Sequence, residues 1–459
     1  MKRNPLSRRQ FLTLSASTVA ATALAACATV SAPSAPAAQE ATAGEVAQVP
    51  CGDMSASGEL VFSTWGGPKE VQTNETIINL FNEAYPNAQA EVLHIPTNYL
   101  DKVLTMFAAG DPPDVLYASE PHIAGYVAKN AILDLTDYFD LCPMLLDDEV
   151  YVTRFLREGT MLQDRNFGTV NGTNGYVLFY NKTLFDEAGV GYPTMEWTWD
   201  DFVEAAKALT KVEGDRTVQY GTTAGTSYQV LEVLSRSQGG DLFNTRVMPD
   251  KSLFDTDAVV WGLEFLQNLI YTHGVAPTPA EASAMPMASP WETGQVAMEI
   301  GHSFAIEHRS LIEDWEWDIA HVPMGEQRGG SYSGGVYLVA KASQAPQAAW
   351  EFAKWFMMDE PQGVFSLDGL EAPIMRSWRE SEEHLKFPGA PEHHSVRGEL
   401  LEYSVNRGAH HPLFSEIISK VYTPELDKLL LNEQTPDETG VNMTAQADEL
   451  LAEATSLPL

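Results

Sequence analysis

Short apolar segments alternate along this chain with amphipathic segments of helical length, and this alternation limits the possible folds more than any other feature. The apolar segments predict strands at residues 60–65, 90–95, 113–117, 176–180, 296–300 and 335–340. Apolar residues at helical spacing predict helices between them at residues 75–85, 99–109, 257–271 and 346–358. Strands that alternate with helices favour crossover connections, so the sequence predicts an α/β fold with a largely parallel sheet.

The chain is strongly acidic, with 63 acidic against 28 basic residues and a formal charge of −35. A surface of this charge repels phosphate backbones and anionic lipid, so neither nucleic acid nor a bare membrane surface is an expected partner. The part after residue 27 has about 430 residues, which at ~100–200 residues per domain predicts two or three domains. We expect a monomer.

The amino terminus has the pattern of an export signal. Arg8 and Arg9 precede an apolar stretch at residues 11–26, which is shorter than the roughly 20 apolar residues that span a bilayer. The arginine pair resembles a twin-arginine signal, and Leu24-Ala25-Ala26-Cys27 resembles a bacterial lipoprotein cleavage box. We predict a twin-arginine-like lipoprotein signal at residues 1–27, lipidation of Cys27 and a disordered tether at 28–57. An ordinary secretory signal with a chance cysteine is the alternative.

The predicted signal implies a protein outside the cytoplasm, attached to the bacterial cell membrane through its lipid alone. Two cysteines, Cys51 and Cys142, then remain, and export permits a disulfide whose formation the sequence leaves open. No metal site or cofactor is predicted. The neighbouring histidines His393-His394 and His410-His411 do not point to a common ligand position, and the two cysteines lack a nearby histidine.

Five local motifs are similar to those of one protein family. They are Trp65-Gly66-Gly67, Gly110-Asp111-Pro112-Pro113-Asp114-Val115, Phe179-Tyr180-Asn181-Lys182-Thr183-Leu184-Phe185-Asp186-Glu187-Ala188-Gly189, Gly294-Gln295-Val296-Ala297-Met298, and Ser333-Gly334-Gly335 with the downstream Ala348-Ala349-Trp350. Over residues 59–376 the chain resembles the extracellular solute-binding proteins of bacterial ABC importers, in particular their sugar-binding branch.

This resemblance implies a periplasmic-binding-protein-like fold of two α/β lobes, joined by a hinge of several segments around a ligand cleft. Residues 58–172 and 337–375 would form lobe 1, and residues 173–336 and 376–459 lobe 2. A cleft between domains, beyond the carboxyl ends of strands, is also where α/β proteins commonly bind ligands. The implied function is capture of a mono- or oligosaccharide and its delivery to the ABC permease subunits by lobe closure, without catalysis.

A sugar has hydroxyl groups at its edges and C–H groups on its faces, so its site needs short polar side chains and flat aromatic rings. Trp65 is the strongest candidate, because it ends a predicted strand beside two glycines; a core position is its alternative. Asn174 lies in a glycine-flanked loop, and Tyr228 and Trp291 are further aromatic candidates. The resemblance adds positions after strands and at the hinge: Ser119, Glu120, His302, Ser303, Tyr332, Gly334, Gly335 and Arg376.

Two other functions fit parts of the sequence. An exported glycoside hydrolase would need two carboxylates about 5–9.5 Å apart, and 63 acidic residues make composition uninformative on this point. The chain has no Gly-x-Ser-x-Gly, His-Glu-x-x-His or Gly-Lys-Ser motif. A receptor for a cationic solute fits the negative charge but is disfavoured by the resemblance to sugar-binding proteins.

Overall fold

The computed structural model of the chain describes residues 51–285 and 290–454. The predicted export signal at residues 1–27, with Cys27, and most of the predicted tether lie outside the described residues. Within the described ranges, no helix combines the length and the apolar character needed to cross a membrane.

The first sheet has five strands: β1 Gly58–Thr64, β2 Ala88–His94, β3 Val115–Ala118, β6 Thr169–Val170 and β13 Val336–Val339. Their order across the sheet is β2-β1-β3-β13-β6. Strand β1 pairs in parallel with β2 and β3, while β13 is antiparallel to both β3 and β6.

The second sheet is arranged around strand β7, Gly172–Asn181, all ten residues of which are buried. Strands β10, β11, β12 and β14 pair antiparallel with β7, and β15 pairs in parallel with β12. The bounds are β10 Met298–His302, β11 Trp317–Ala320, β12 Ser331–Ser333, β14 Ala372–Pro373 and β15 Val405–Asn406. Two small hairpins pair β4 Met161–Leu162 with β5 Arg165–Asn166, and β8 Lys211–Glu213 with β9 Arg216–Gln219.

Helices occupy most of the chain between the strands. The α-helices are Pro68–Ala84, Tyr99–Ala109, Ile123–Ala128, Thr136–Asp140, Thr153–Thr160, Lys182–Ala188, Trp199–Leu209, Tyr228–Ser237, Asp257–Tyr271, Pro279–Ala284, Ile306–Arg309, Pro346–Trp355, Asp359–Asp368, Arg376–Arg379, Glu382–Leu385, Val396–Glu399, Phe414–Glu416, Thr423–Leu430 and Pro436–Ala454. Short 3₁₀ turns cover Glu120–His122, Pro143–Leu146, Ser303–Ala305 and Leu400–Glu402, and a π-helical turn covers Ile417–Tyr422.

The α/β alternation predicted from the sequence is confirmed, and several bounds agree closely. The helix Tyr99–Ala109 ends where predicted, because Gly110 takes the left-handed φ of +79° that terminates a helix. The first helix starts earlier than predicted, at Pro68, since proline lacks the N–H group that the first helical turn leaves unpaired.

The prediction of a largely parallel sheet is wrong for the second sheet and holds only for β1, β2 and β3 in the first. The cause is the crossing of the chain between sheets. After β12 the chain passes through Gly334 and Gly335 into the first sheet, where β13 runs opposite to β3. The partners of β7 likewise return to it in reversed direction over long connections.

Aromatic side chains fill the core of each sheet. Beside the first sheet, Tyr337 of β13 stacks on Phe356 with ring centroids 3.7 Å apart, and Phe62 of β1 packs on Phe352 at 5.4 Å. Beside the second, Trp199 packs on Phe202 at 6.0 Å. Each such buried side chain contributes about 1.5–3 kcal/mol to stability, so these contacts anchor the helices to the sheets.

A disulfide joins Cys51 to Cys142, whose Cα atoms are 4.9 Å apart. Close by, the backbone N–H of Asp53 donates to Oε1 of Glu351 at 3.1 Å. Residues 51–57, which the sequence analysis assigned to the tether, are therefore attached to the folded body. The tether prediction is left with residues 28–50, outside the described residues.

Replacing both Cys51 and Cys142 by Ala should lower the free energy of unfolding by about 2–4 kcal/mol, because the bond closes a loop of 91 residues and restricts the unfolded chain. Urea unfolding followed by tryptophan fluorescence measures the loss. A reductant should produce the same loss in the wild type and none in the double variant. Equal unfolding midpoints for the wild type and the double variant would contradict the prediction.

Candidate functional site

A cavity of about 430 Å³ lies between the carboxyl ends of β1 and β3 and the strands of the second sheet. Trp65 directly follows β1, and Ser119 directly follows β3. The opposite wall includes Asn174 of β7, His302 of β10 and Ser333 of β12. Both sheets therefore contribute to one cavity, at the kind of position where α/β proteins bind ligands.

Aromatic rings form one wall of the cavity. The ring of Trp65 lies 4.5 Å from that of Tyr117 and meets Tyr99 edge to face at 4.7 Å. Ser63 in turn holds the hydroxyl of Tyr99. This hydroxyl donates to the backbone carbonyl of Ser63 at 3.1 Å and lies 2.8 Å from the Ser63 hydroxyl. These contacts fix the indole ring in place and give the cavity a rigid, flat surface.

Asn174, in the opposite wall, is the centre of a hydrogen-bonded network. Its Nδ2 donates to Oε2 of Glu371 at 2.5 Å and to the carbonyl of Leu370 at 3.1 Å. Its Oδ1 accepts from the Ser303 hydroxyl at 3.0 Å and from Nη2 of Arg397. With both ends of the amide occupied, Asn174 mainly fixes the position of the Glu371 carboxyl in the wall.

The carboxylate of Glu120 is fully buried directly behind the cavity. Its Oε1 accepts from the backbone N–H of Gly334 at 2.8 Å and from Nδ2 of Asn406 at 3.2 Å. Its Oε2 accepts from Nε and Nη2 of Arg407 at 3.1 and 3.0 Å. Burial disfavours the charge on Arg407, yet the Glu120 carboxylate outweighs this and raises the pKa of Arg407 above its usual value.

Two histidines line the cavity, and both are neutral at neutral pH. Burial, assisted by the positive charge of Arg407, lowers the pKa of His122 to about 4. Burial together with Arg407 and Arg397 lowers the pKa of His302 well below its usual value. Nε2 of His302 lies 2.6 Å from the Ser333 hydroxyl, so this pair offers hydrogen-bonding groups without charge.

Two further carboxyl groups, Glu70 and Glu371, face the cavity. Burial, with a smaller contribution from the negative charge of Glu307, raises the pKa of Glu70 to about 7. Burial raises the pKa of Glu371 to about 8, against the opposing charge of Arg397. Gly66 takes a φ of +108°, and a Cβ at this position would overlap the Glu70 carboxylate, so glycine is needed beside it.

Five of the residues predicted for the site line the cavity: Trp65, Ser119, Asn174, His302 and Gly334. Their contact with a ligand stays a prediction. Three more support the wall from behind. Glu120 holds Arg407, Ser303 holds Asn174, and Gly335 leaves space for the ring of Tyr117, which a Cβ there would overlap.

The structure places the remaining four predicted residues outside the cavity lining. Trp291 is fully buried in the core, 5.5 Å from the ring of Phe179, because it faces the interior beside β7. The hydroxyl of Tyr332 points instead to Oε2 of Glu158, to which it donates at 2.5 Å.

The ring of Tyr228 packs on Phe414 at 5.3 Å, at the start of the helix Tyr228–Ser237. Arg376 is partly exposed and donates from Nε to the carbonyl of Asp148 at 2.6 Å. Neither residue type nor position along the chain reveals which way a side chain turns, and this explains all four differences.

Most of the charged residues that line the cavity were not predicted from the sequence. Tyr117 could have been found, since it lies two residues before Ser119 and alternate residues of a strand share a face. Tyr99 and Tyr176 lay in a predicted helix and a predicted strand, and Glu70 lay between the predicted strand 60–65 and the predicted helix 75–85; none had a distinguishing local signal. Glu371 and Arg407 come from later parts of the chain, whose position beside the cavity is set only by the fold.

Among the described residues, one group of three side chains has donor atoms close enough to hold a metal ion: Asp318, Glu392 and His393, within 4.8 Å of one another. Each of these groups already has a hydrogen-bonding partner. Nδ1 of His393 lies 2.6 Å from Oδ2 of Asp318, and Lys182 donates to Glu392 at 3.0 Å. These contacts account for the cluster.

The family model of the bacterial extracellular solute-binding proteins matches residues 67–363. Among curated proteins, the arabinooligosaccharide-binding protein of Halalkalibacterium halodurans is 26% identical over 232 residues, which are 49% of this chain and 48% of the relative. The chain thus spans about half the length of the curated relatives it matches.

Solved structures show the same fold. An ABC substrate-binding protein from Listeria monocytogenes, in complex with cycloalternan, has a TM-score of 0.78 at 24% identity and covers 86% of this chain and 99% of its own. The GacH receptor of Streptomyces glaucescens, solved unliganded and with acarbose, has a TM-score of 0.74 at 20% identity. The match covers 87% of this chain and 100% of the receptor chain. The predicted two-lobe, periplasmic-binding-protein-like fold is confirmed. The segment bounds predicted for the lobes stay a prediction.

Arg407→Met should lower the free energy of unfolding by about 3–5 kcal/mol, because it leaves the buried Glu120 carboxylate without its counter-charge. Urea unfolding of the ligand-free protein measures the loss. The double variant with Glu120→Gln should recover part of it. Arg376→Met, at a partly exposed arginine, serves as the matched control and should cost less than about 1 kcal/mol. If Arg407→Met lowered the free energy of unfolding no more than Arg376→Met does, the ion pair would not be the source of stability inferred here.

Glu371→Gln should alter the dependence of stability on pH. The unfolded carboxyl ionises near its ordinary pKa of 4.5, whereas the folded one keeps its proton up to about pH 8. The folded chain therefore binds more protons between these values, and the wild type should lose about 3–5 kcal/mol more stability than the variant on going from pH 4.5 to 8. Urea unfolding across this range measures the difference, with the exposed Glu383→Gln as control. Parallel profiles for the wild type and Glu371→Gln would exclude a raised pKa.

Proposed function

This chain belongs to the family of bacterial extracellular solute-binding proteins, and we propose that it captures a carbohydrate outside the cytoplasm and delivers it to the permease of an ABC importer. One observation carries the proposal: a cavity between the two sheets combines a rigid aromatic wall with hydrogen-bonding groups from both sheets. The sugars that relatives bind, an arabino-oligosaccharide and cycloalternan among them, support the same class of ligand.

The lining offers the two kinds of contact that a sugar needs. The indole of Trp65 and the ring of Tyr117 present flat faces to sugar C–H groups. Ser119, the His302–Ser333 pair and the Glu371 carboxyl offer donors and acceptors to hydroxyl groups.

Delivery depends on closure. A guest that contacts Trp65 beside the first sheet and His302 on the second is held by both, so it favours the conformation in which the sheets are close together. The permease would recognise that closed form. The lobes in this mechanism are the predicted ones, residues 58–172 with 337–375 and residues 173–336 with 376–459.

Binding without catalysis fits the electrostatics better than hydrolysis does. A glycoside hydrolase separates the roles of its two carboxyl groups, one protonated as acid and the other ionised as base or nucleophile. Here burial raises the pKa of both Glu70 and Glu371, so the environment does not distinguish an acid from a base. The guest is expected to leave unaltered.

The place of action follows from the family and from the amino terminus. Members are extracellular solute-binding proteins, and the Leu24-Ala25-Ala26-Cys27 run supports attachment by a lipid on Cys27 after twin-arginine export. Residues 28–50 would then connect the lipid to the folded body at Cys51.

Trp65→Ala should abolish sugar-dependent stabilisation. A panel of mono- and oligosaccharides, each compared with buffer, is expected to contain one that stabilises the wild type by about 2.7 kcal/mol at a hundredfold excess over its Kd. The variant should lose this gain, while its ligand-free melting temperature should change no more than that of Trp261→Ala, a partly buried tryptophan outside the cavity lining. If Trp65→Ala were still stabilised by the sugar, or if the protein released reducing ends from the sugar, the proposal would be refuted.

Cys27→Ser should release the protein from membranes. Cell fractionation after expression in a bacterium with lipoprotein processing should place the wild type in the membrane fraction and the variant in the soluble fraction, because a lipid chain on Cys27 is the proposed anchor. Cys142→Ser is the control and should stay with the membrane. Equal distribution of the wild type and Cys27→Ser would rule out lipid attachment at this residue.

A further inference from the structure

The two carboxyl groups in the cavity wall, Glu70 and Glu371, form no salt bridge with any residue that the structure describes. Neither has a described lysine, arginine or histidine nitrogen within 4.0 Å. Glu371 accepts one hydrogen bond on Oε2 from the neutral amide of Asn174. The negative charge of Glu307 repels that of Glu70, and Glu70 in turn repels Glu371.

The positive groups nearby are engaged elsewhere. Arg407 lines the cavity, but its Nε and Nη2 both donate to Glu120. Arg397 donates to the carbonyls of Gly369 and Leu370 and to the amide oxygen of Asn174. The two lining histidines, His122 and His302, are uncharged because burial and the arginines lower their pKa. The ligand-free wall therefore has an excess of carboxyl groups over available cations.

The pKa is raised to about 7 for Glu70 and to about 8 for Glu371. Both values indicate that the ionised carboxyl groups lack sufficient stabilisation by nearby positive charge. A buried carboxylate that forms no ion pair retains its proton, and at Glu371 the charges of Arg397 and Arg407 oppose this without offsetting the burial. A cation that entered with the guest would supply the missing charge and stabilise the ionised forms.

Aromatic rings beside these carboxyls favour an organic cation. Trp65 is adjacent to Gly66, against which the Glu70 carboxylate packs, and Tyr117 lies 4.5 Å from the indole ring. Aromatic faces attract ammonium groups and at the same time accept the C–H face of a sugar. A metal ion fits less well. No three His, Cys, Asp or Glu donor atoms among the described residues lining this cavity lie within 4.8 Å of one another.

We propose that the guest is an amino sugar, or an oligosaccharide containing one, whose ammonium group binds at Glu70 and Glu371 while its ring lies against Trp65. This inference rests on the carbohydrate-binding function proposed above and narrows it to a basic class of sugar. Charge-assisted hydrogen bonds to the two carboxylates, in a site largely removed from water, then distinguish the amine from a neutral hydroxyl.

The test compares matched sugars by isothermal titration calorimetry on the purified full chain in 0.15 M salt at pH 7. One set consists of the β-1,4 disaccharide of glucosamine, its N-acetylated form and cellobiose, which share a linkage and differ in charge. The second set is acarbose, which contains a basic nitrogen, against neutral maltotetraose. In at least one set the amine should bind at least about tenfold more tightly than its neutral partner.

Glu70→Gln should reduce that preference to less than about threefold, because it removes the carboxylate and keeps the shape. The chain as a whole carries a charge of −35 and attracts cations non-specifically, so a control is needed. Glu83→Gln makes the same change of charge at an exposed position on the same helix, and it should leave the preference unchanged.

The outcomes separate this inference from the function on which it rests. Neutral sugars that bind as tightly as amines, or a neutral sugar that binds while every amine-bearing probe fails, overturn the inference and leave carbohydrate binding intact. A preference that Glu83→Gln weakens as much as Glu70→Gln also overturns it. Failure of every sugar, neutral or basic, to bind overturns both.

Discussion

The buried carboxylate of Glu120 holds together the parts of the chain that form the cavity. It accepts hydrogen bonds from Gly334, between β12 and β13, and from Asn406 and Arg407, which come more than 280 positions later in sequence. One charged group thus joins the end of β3, the crossing between the two sheets and the C-terminal part of the chain. A charge without exposure to water is tolerated only with such complete compensation, so these segments are fixed relative to one another.

The same interaction determines what the cavity offers to a guest. Arg407 is bound to Glu120, and its charge opposes but does not offset the burial that raises the pKa of Glu371, so Glu70 and Glu371 set the electrostatic character of the wall. The crossing itself requires glycine. A Cβ at Gly334 would overlap the carbonyl of Gly172 at the start of β7, so the two chain segments approach more closely there than any other residue allows.

The sequence was sufficient to predict the alternation of strands and helices, the two-lobe fold and part of the cavity. Trp65 and Ser119 were predictable, because polar and aromatic residues at the ends of consecutive parallel strands meet at one edge of a sheet. Tertiary packing decided the rest. Trp291 turns into the core, and Glu371 reaches the cavity only through Asn174 and the pairing of β14 with β7. Such long-range placements leave no local pattern in the sequence.

In the proposed mechanism, groups from both sheets hold an intact carbohydrate in one cavity. The decisive experiment is a crystal structure of the protein with the sugar that stabilises it in solution. We expect an uncleaved sugar ring against the indole of Trp65, with hydrogen bonds to residues on both sheets, and a smaller separation of the sheets than in crystals of the ligand-free protein. A sugar bound elsewhere, contacts to one sheet alone, or a cleaved product in the cavity would refute this mechanism.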